Sequence, residues 1–216
     1  MWAIVPLKYF VNAKSRLSDL LSPDERQTLV RLMARDVLGA LAATTGLRGV
    51  LIVSREPEVG ALAAEFDARV FEESESSDLS AAVTAASAHA VSELGANGTL
   101  IVHADLPLAQ AEDFDALLAG HVDFSLVPDD ANLGTNCIAA TPPNPIEYRY
   151  DGRSFEPHLD AARRVGLEPL VCEIPRLRLD IDTEQDVAAL LATPSPSRTA
   201  DWLRAQNMEH RLQAAT

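Results

Sequence analysis

The chain has 216 residues, 47% of them hydrophobic and 5% aromatic, which suits one sizeable α/β domain with a core of small aliphatic side chains. Its formal net charge of −14 argues against DNA, RNA and anionic membranes as partners. Two cysteines without CxxC spacing are too few for a zinc site or a disulfide framework, and the N-terminal apolar run is too short for a signal peptide or a membrane span. We therefore expect a cytoplasmic protein.

Strands and helices are predicted to alternate along the first half of the chain. A buried strand over 2–7 leads into a polar loop over 8–18. Ser22 is expected to cap a helix that runs to about Thr45, because Pro and Glu follow in its first turn. The next elements are a strand over 49–53, a helix over 56–66, a strand over 68–71, a helix over 79–94 and a strand over 99–103.

The second half continues the alternation. It comprises a helix over 110–119, strands over 123–127 and 137–140, a helix over 155–165, a strand over 170–174, an extended segment over 177–182 and a helix to about 191. We divide the chain into a catalytic domain over 1–192 and a segment over 193–216, which comprises a Pro-containing linker and a polar C-terminal helix over 198–213. That helix carries Trp202 and Leu203, so it is expected to pack on its own domain or on the second subunit of a homodimer.

Strands that alternate with helices predict right-handed βαβ crossovers. The result is an α/β fold with a mostly parallel central sheet and helices on both faces. In such a sheet the ligand binds at the carboxyl ends of the strands. Residues that directly follow a predicted strand are therefore the candidates for the functional site.

Three aspartates are candidate metal ligands. Asp105 follows the strand over 99–103, although an Asp-Leu-Pro sequence can also begin a turn or a helix. Asp180 and Asp182 alternate and so lie on one face of an extended segment, although Asp182 could instead cap the next helix. Mg²⁺ prefers a few carboxylates together with phosphate oxygens, so these three side chains together predict a site for one or two metal ions.

The basic residues near the N-terminus are candidate phosphate ligands. The chain has two lysines, Lys8 and Lys14, and both lie in one short segment beside Arg16. In an acidic protein this placement favours an anion site for a triphosphate and its leaving pyrophosphate, with chance placement as the alternative. The absence of a GxGxxG or GKS/T sequence disfavours a classical dehydrogenase and a P-loop kinase. The five histidines show no catalytic or metal-binding spacing, so we assign them no catalytic role.

Several short motifs occur together in the order of one known family. They are Val5-Pro6-Leu7-Lys8, Ala13-Lys14-Ser15-Arg16-Leu17, Arg35-Asp36-Val37-Leu38, Asp105-Leu106-Pro107-Leu108, Gly134-Thr135-Asn136, Ser154-Phe155 with His158, and Leu179-Asp180-Ile181-Asp182-Thr183. With this ordered set, residues 2–190 resemble the phospholactate guanylyltransferase family of coenzyme F-420 biosynthesis. The tail over 190–216 lies outside the resemblance.

The resemblance implies a Rossmann-like, GT-A-like nucleotidyltransferase fold, GTP as donor, Mg²⁺ as cofactor and a three-carbon phosphorylated acid as acceptor. It implies metal binding at Asp105 and Asp182, to which the local pattern adds Asp180. It implies acceptor contacts at Thr135, Gly152 and Ser154, and a phosphate-binding loop that contains Lys8, Lys14 and Arg16.

Two departures from the family pattern concern the acceptor. The family usually has Gly-Leu-Asn where this chain has Asp78-Leu79-Ser80, and Asp151 takes the usual position of a glycine that is displaced here to Gly152. A more polar pocket suits an acceptor with an extra hydroxyl. We therefore expect 3-phosphoglycerate rather than 2-phospholactate or phosphoenolpyruvate.

Two other functions are compatible with the sequence. One is nucleotidyl transfer to a different acceptor, such as molybdenum cofactor or a sugar phosphate. The other is a non-catalytic protein that binds nucleotides as a sensor, although the three aspartates argue against it because binding alone requires fewer carboxylates. Pyrophosphate release distinguishes an enzyme from a sensor.

Overall fold

The computed structural model describes residues 1–7, 14–74 and 77–214. Within these ranges seven strands form one sheet: β1 (Trp2–Pro6), β2 (Val50–Val53), β3 (Arg69–Phe71), β4 (Thr99–Val102), β5 (Phe124–Pro128), β6 (Thr135–Ala140) and β7 (Leu170–Val171). Their order across the sheet is β3-β2-β1-β4-β6-β5-β7. All neighbouring pairs are parallel except those of β6, which runs antiparallel to β4 and β5.

The helices in the described ranges cover both faces of the sheet. They are α1 (Pro23–Ala43), α2 (Val59–Glu65), α3 (Leu79–Leu94), α4 (Ala111–Gly120), α5 (Phe155–Arg164), α6 (Pro175–Arg178), α7 (Glu184–Ala192), α8 (Arg198–Ala205) and α9 (Met208–Ala214). None of them is long and apolar enough to cross a membrane.

Alternate strand residues enter two separate cores. On β1, Ala3 and Val5 pack with α1, α4, α7 and α8, whereas Trp2 and Ile4 pack with α3 and α5. Since successive side chains of a strand point to opposite faces, a strand covered on both sides is apolar along most of its length, as β2 is throughout and β4 is after Thr99. The predicted α/β fold, with a mostly parallel sheet between two helical layers, is confirmed.

The first helix begins as the sequence indicates. The hydroxyl of Ser22 accepts from the backbone N–H of Glu25, and the Glu25 carboxylate accepts from the N–H of Ser22. This reciprocal pair satisfies two backbone donors that a helix N-terminus leaves unpaired. Thr183 and Asp186 form the same arrangement at the start of α7, so Thr183, not Asp182, is the cap residue.

The prediction was wrong in two segments. The extended segment predicted over 177–182 is helical in its first part, because Pro175 starts the single turn α6, and only 179–182 is outside helix and strand. The single C-terminal helix predicted over 198–213 is two helices, α8 and α9, separated at Asn207, which has a φ of 54°. Such a left-handed residue interrupts an α-helix.

The C-terminal helices pack on the rest of the domain. Ala200, Leu203 and Met208 are buried in the same core as α1. The carboxylate of Asp36 on α1 accepts hydrogen bonds from the hydroxyl of Ser197, the backbone N–H groups of Arg198 and Thr199, and the hydroxyl of Thr199. Asp36 thus pairs donors at the N-terminus of α8 that would otherwise lack partners.

Candidate active site

The candidate site lies at the carboxyl ends of β1 and β4. Asp105 follows β4 by three residues, and the backbone N–H of Ile181 donates to its carbonyl oxygen at 3.2 Å. This contact brings the segment between α6 and α7 to the end of β4. The carboxylates of Asp105, Asp180 and Asp182 each offer one oxygen, and the three oxygens lie within 4.8 Å of one another. The structure therefore brings together the three aspartates that the sequence analysis singled out, and their binding of a metal stays a prediction.

Asn136, the second residue of β6, holds the aspartate segment in place. Its amide nitrogen Nδ2 donates to the carbonyl oxygens of Leu177 at 3.1 Å and Arg178 at 3.0 Å, and lies 3.4 Å from Oδ1 of Asp180. Its own backbone carbonyl accepts from the N–H of His103 at 3.0 Å. One residue of β6 thereby contacts both the segment that follows β4, through its backbone, and the segment that carries Asp180, through its side chain. Sequence reasoning used Asn136 as a family motif residue and did not find this role.

Lys14 lies between two of the carboxylates. Its Nζ is 2.6 Å from Oδ2 of Asp105 and 2.7 Å from Oδ1 of Asp182. Arg16 is more distant, at 3.5 Å from Oδ2 of Asp182, and its side chain is 73% exposed. The backbone of Lys14 is left-handed, with a φ of 54°. A non-glycine residue adopts this conformation at a cost, and such strain is often found at functional sites.

The charges of these groups shift one another's pKa values. Burial opposes the charged form of Lys14, but Asp105 and Asp182 together raise its pKa above the ordinary value. Burial likewise opposes ionisation of Asp105, but the charges of Lys14 and His103 and the hydrogen bond from Lys14 hold its pKa below the ordinary value. Burial and the neighbouring charges of Asp105 and Asp182 raise the pKa of Asp180 to about 7. Lys14 and Asp105 are therefore an ion pair at neutral pH.

The donor set fits a hard divalent cation. All three side chains offer carboxylate oxygens, which are the ligands that Mg²⁺ prefers. Oδ1 of Asp105 is buried and has no hydrogen-bond partner among the described residues. A buried carboxylate oxygen without a partner is costly unless a ligand pairs with it. The ammonium of Lys14 supplies positive charge at the place where a metal ion would do so.

A cavity of about 250 Å³ adjoins the carboxylates. Its polar side is formed by Lys14, His103 and Asp105, and its apolar side by Pro6, Leu7, Val30, Met33 and Leu79. Within the described residues, a ligand of the carboxylate cluster would enter this cavity at the ends of β1 and β4. Ligand sites commonly combine such an apolar wall with a few convergent polar groups.

A second polar cluster lies beside the first, at the start of β6. Oγ1 of Thr135 is 3.1 Å from Nδ1 of His158 and 3.2 Å from Oγ of Ser154. Nε2 of His158 accepts from the backbone N–H of Arg149 at 3.0 Å. The ring of Tyr150 lies 5.2 Å from that of His158 and 5.2 Å from that of His103, so it fills the space between the cavity and this cluster.

The predicted site residues thus fall into two adjoining groups. Lys14, Arg16 and the three aspartates form one, and Thr135 with Ser154 belongs to the other. Gly152 contacts neither group: it is exposed in a turn with a φ of +83°, a conformation that glycine adopts without the usual steric cost. Lys8 lies outside the described residues. Sequence reasoning gave His158 no role, although its i+4 spacing from Ser154 indicates a shared helix face.

Comparison with known proteins identifies relatives over nearly the whole chain. A family model described as guanylyl transferase CofC like matches residues 1–215, so the similarity includes the tail that was expected to lie outside it. A phosphoenolpyruvate guanylyltransferase of Rubrobacter xylanophilus is 39% identical over 196 residues, which cover 89% of this chain and 94% of the relative. A 3-phospho-D-glycerate guanylyltransferase of Phenylobacterium zucineum is 32% identical over 206 residues, with coverage of 93% and 94%.

Solved structures share the fold. A protein of Desulfovibrio desulfuricans G20, provisionally assigned as a nucleotide-diphospho-sugar transferase, aligns with a TM-score of 0.79 at 19% identity, over 99% of this chain and 96% of that one. A nucleotidyl transferase from Methanothermobacter thermautotrophicus aligns with a TM-score of 0.58 at 16% identity, over 99% and 98%. The expected Rossmann-like nucleotidyltransferase fold is confirmed.

Proposed function

The chain belongs to the CofC-like family of guanylyl transferases, and from that premise we propose that it transfers GMP from GTP to a three-carbon phosphorylated acid with release of pyrophosphate. The observation that carries the proposal is the cluster of Asp105, Asp180 and Asp182 around Lys14, beside a cavity at the carboxyl ends of β1 and β4. We also propose a cytoplasmic location, as expected from the sequence, and a role in coenzyme F-420 biosynthesis, which membership of this family implies.

In the proposed reaction, a phosphate oxygen of the acceptor attacks the α-phosphorus of GTP in line with the leaving group. A new oxygen–phosphorus bond forms while the bond from the α-phosphorus to the oxygen that bridges to the β-phosphate breaks. The electron pair of the broken bond leaves with pyrophosphate. Because the attacking oxygen is already anionic, no side chain has to remove a proton. The protein's contribution is therefore position and charge.

Each polar group has a task in this scheme. Asp105, Asp180 and Asp182 would hold Mg²⁺, which supplies positive charge to the α-phosphate when it is bound. Lys14 stays protonated beside Asp105, and the exposed side chain of Arg16 can reach the phosphates that leave. We assign Lys8 to the same phosphate-binding task from the sequence. The hydroxyls of Thr135 and Ser154 are proposed to bind the acceptor, with Gly152 in the turn that precedes Ser154.

The choice of acceptor depends on two polar residues and on the relatives. The expectation of 3-phosphoglycerate came from the polarity that Asp78 and Asp151 add where the family has glycine. In the structure Oδ1 of Asp78 accepts from the backbone N–H of Ala81 at 2.8 Å, and Oδ1 of Asp151 accepts from that of Arg153 at 3.1 Å. Both groups therefore have partners within the protein. The relative at 39% identity is named for phosphoenolpyruvate, so we propose phosphoenolpyruvate as the acceptor and 3-phosphoglycerate as the second candidate.

Pyrophosphate release tests the reaction and the acceptor together. Purified protein would be given GTP and MgCl₂ with phosphoenolpyruvate, 3-phosphoglycerate or 2-phospholactate in parallel, with ATP or CTP in place of GTP as the donor control. Release that requires both GTP and one of the three acids supports the proposal and names the acceptor. Release with none of them would refute the proposal and favour a different acceptor or a nucleotide sensor.

A further inference from the structure

His158 is held between two partners that determine which of its nitrogens carries the proton. Its side chain is fully buried. Since Nε2 accepts from the backbone N–H of Arg149, that nitrogen bears no proton in the neutral ring. The proton is then on Nδ1, which donates to Oγ1 of Thr135 at 3.1 Å. Burial and the nearby His103 lower the pKa of His158 to about 4, so the ring is neutral at physiological pH.

The hydrogen bonds among His158, Thr135 and Ser154 leave one hydroxyl proton without a partner. His158, Thr135 and Ser154 offer three protons, one on Nδ1 and one on each hydroxyl. Two contacts join the three groups, at 3.1 Å and 3.2 Å, and each contact uses one proton. One hydroxyl proton therefore remains, whichever way the two hydroxyls are turned. If Nδ1 were instead the acceptor, it would use a hydroxyl proton and none would remain.

The remaining proton has no acceptor of its own within the described ranges. Thr135 and Ser154 are each 2% exposed, so bulk water does not pair it. A buried donor without a partner costs about 1–3 kcal/mol. Cys137 of β6 pairs with Val102 of β4, so Thr135 lies at the end of the sheet where β4 leads into Asp105, and the hydroxyl pair is at the same sheet edge as the carboxylate cluster. A carboxylate or phosphate oxygen of a bound substrate would supply the missing acceptor.

We infer that His158 is a positioning residue that fixes the Thr135–Ser154 hydroxyl pair as a hydrogen-bond donor to an anionic oxygen of the acceptor substrate. The inference rests on the proposed function, because it needs an anionic acceptor beside the carboxylate cluster. His158 itself touches no substrate. It acts by keeping a proton on Nδ1, and so prevents the pair from turning its last proton inward.

Two substitutions of His158 separate its contacts. In His158→Gln the amide reaches the position of Nε2, where its oxygen can accept from Arg149, and nothing donates to Thr135. In His158→Asn the amide nitrogen lies near the position of Nδ1, where it can donate to Thr135, and the contact with Arg149 is lost. His158→Gln leaves a hydroxyl proton over, but no donor from residue 158 then fixes the direction of the Thr135 hydroxyl. We therefore expect the acceptor KM to rise about 10-fold, because the proton is no longer aimed at the anionic oxygen, with kcat and the GTP KM within about 2-fold. His158→Asn should restore the acceptor KM to within about 3-fold of the wild type.

A combined variant tests whether the effect passes through the hydroxyl. Thr135→Val removes the hydroxyl at nearly constant volume and should raise the acceptor KM at least as much as His158→Gln. Adding His158→Gln to Thr135→Val should then change the acceptor KM little further, because both substitutions remove the same interaction. Independent, multiplicative effects in the double variant would overturn the inference.

His121 provides a matched control. Its Nδ1 lies 2.9 Å from Oγ of Ser125 and its Nε2 lies 3.0 Å from Oγ1 of Thr141, so it also joins two hydroxyls. Thr141 follows β6 directly, at the end of the sheet opposite to Thr135. His121→Gln should lower the unfolding midpoint and leave the acceptor KM unchanged. If His158→Gln likewise left the acceptor KM unchanged in an enzyme that releases pyrophosphate, the inference alone would fail. Failure of the wild type with every acceptor would refute the proposed function and the inference with it.

Discussion

Replacing Lys14 with methionine tests whether this lysine balances the carboxylate cluster. Its Nζ lies 2.6 Å and 2.7 Å from two carboxylates, and its side chain is 11% exposed. At an effective dielectric constant of about 20, each contact corresponds to about 6 kcal/mol of attraction before desolvation is subtracted. Removing one partner of a buried ion pair costs about 3–5 kcal/mol. The side chains of Asp105 and Asp182 are 25% and 45% exposed. We therefore expect Lys14→Met to lower the free energy of unfolding by about 3 kcal/mol, the lower end of that range, when no divalent cation is present.

The same substitution should make stability depend on Mg²⁺. Above pH ~7, where Asp180 is also ionised, three carboxylates and one ammonium give the wild-type cluster a formal charge of −2, and Lys14→Met changes it to −3. A cation that binds with a Kd of about 1 mM adds about 1.4 kcal/mol at about 10 mM. MgCl₂ should increase the free energy of unfolding, relative to EDTA, in both proteins. We expect this increase to be about 1–2 kcal/mol larger in Lys14→Met than in the wild type, because the metal no longer competes with an ammonium.

Urea unfolding with matched samples in EDTA and in MgCl₂ measures both effects. Arg35→Met is the control, because Arg35 pairs with Glu65 at 2.9 Å in a half-exposed ion pair away from the cluster. Its loss should cost less than about 1 kcal/mol and should not depend on Mg²⁺. Either of two results would refute this account. One is a loss of unfolding free energy in EDTA that is no larger for Lys14→Met than for Arg35→Met. The other is a stabilisation by MgCl₂ that is no larger for Lys14→Met than for the wild type.

Three further predictions concern the cluster, the C-terminal helices and pH. Asp105→Asn should lower pyrophosphate release at least about 100-fold with an unchanged far-UV circular dichroism spectrum, and retained activity would exclude a metal-binding role. Asp36→Ala removes the acceptor of the hydrogen bonds at the start of α8, and should lower the free energy of unfolding in urea by about 2 kcal/mol. The folded variant should keep the wild-type kcat. A large loss of kcat would contradict a purely structural role for Asp36. The hydrogen bond from Arg211, together with Ser22, lowers the pKa of Glu25 to about 2. Because the folded pKa is below the unfolded value of about 4.3, this stabilisation is present above pH ~4.3 and lost as the pH falls towards 2. The difference in unfolding free energy between wild type and Glu25→Gln should therefore shrink over that range, and a constant difference would contradict the assignment.

The fold followed from the sequence where local signals agreed. Continuous apolar runs predicted β2 and β4, and the Ser22–Glu25 pair marked the start of α1. The errors occurred where a tertiary contact decides the local structure. The turn α6 places the carbonyl groups of Leu177 and Arg178 towards the amide of Asn136, some 40 residues earlier in the chain. Pro175 marks where α6 begins, but no pattern within residues 175–182 indicates the long-range contact with Asn136.

The candidate site was predictable in its residue types and less so in its pairings. Asp105, Asp180 and Asp182 were found because ligands of a parallel sheet bind at the carboxyl ends of its strands, where carboxylates can hold a metal. The basic segment was assigned to phosphates from its charge alone, yet Lys14 contacts Asp105 and Asp182, which are 91 and 168 residues away. A lysine at this sheet edge can pair with carboxylates of the protein as well as with phosphates of a substrate, so its charge alone does not distinguish the two partners.

The histidine illustrates a different limit. Residue type and spacing place His158 on the same helix face as Ser154, but they do not reveal which nitrogen carries the proton. That choice depends on the backbone N–H of Arg149, a group that every residue except proline possesses and that no sequence motif marks. A single backbone contact therefore decides whether Thr135 and Ser154 can offer a proton to a substrate. Roles of this kind become visible only when every donor and acceptor around a buried polar group has been counted.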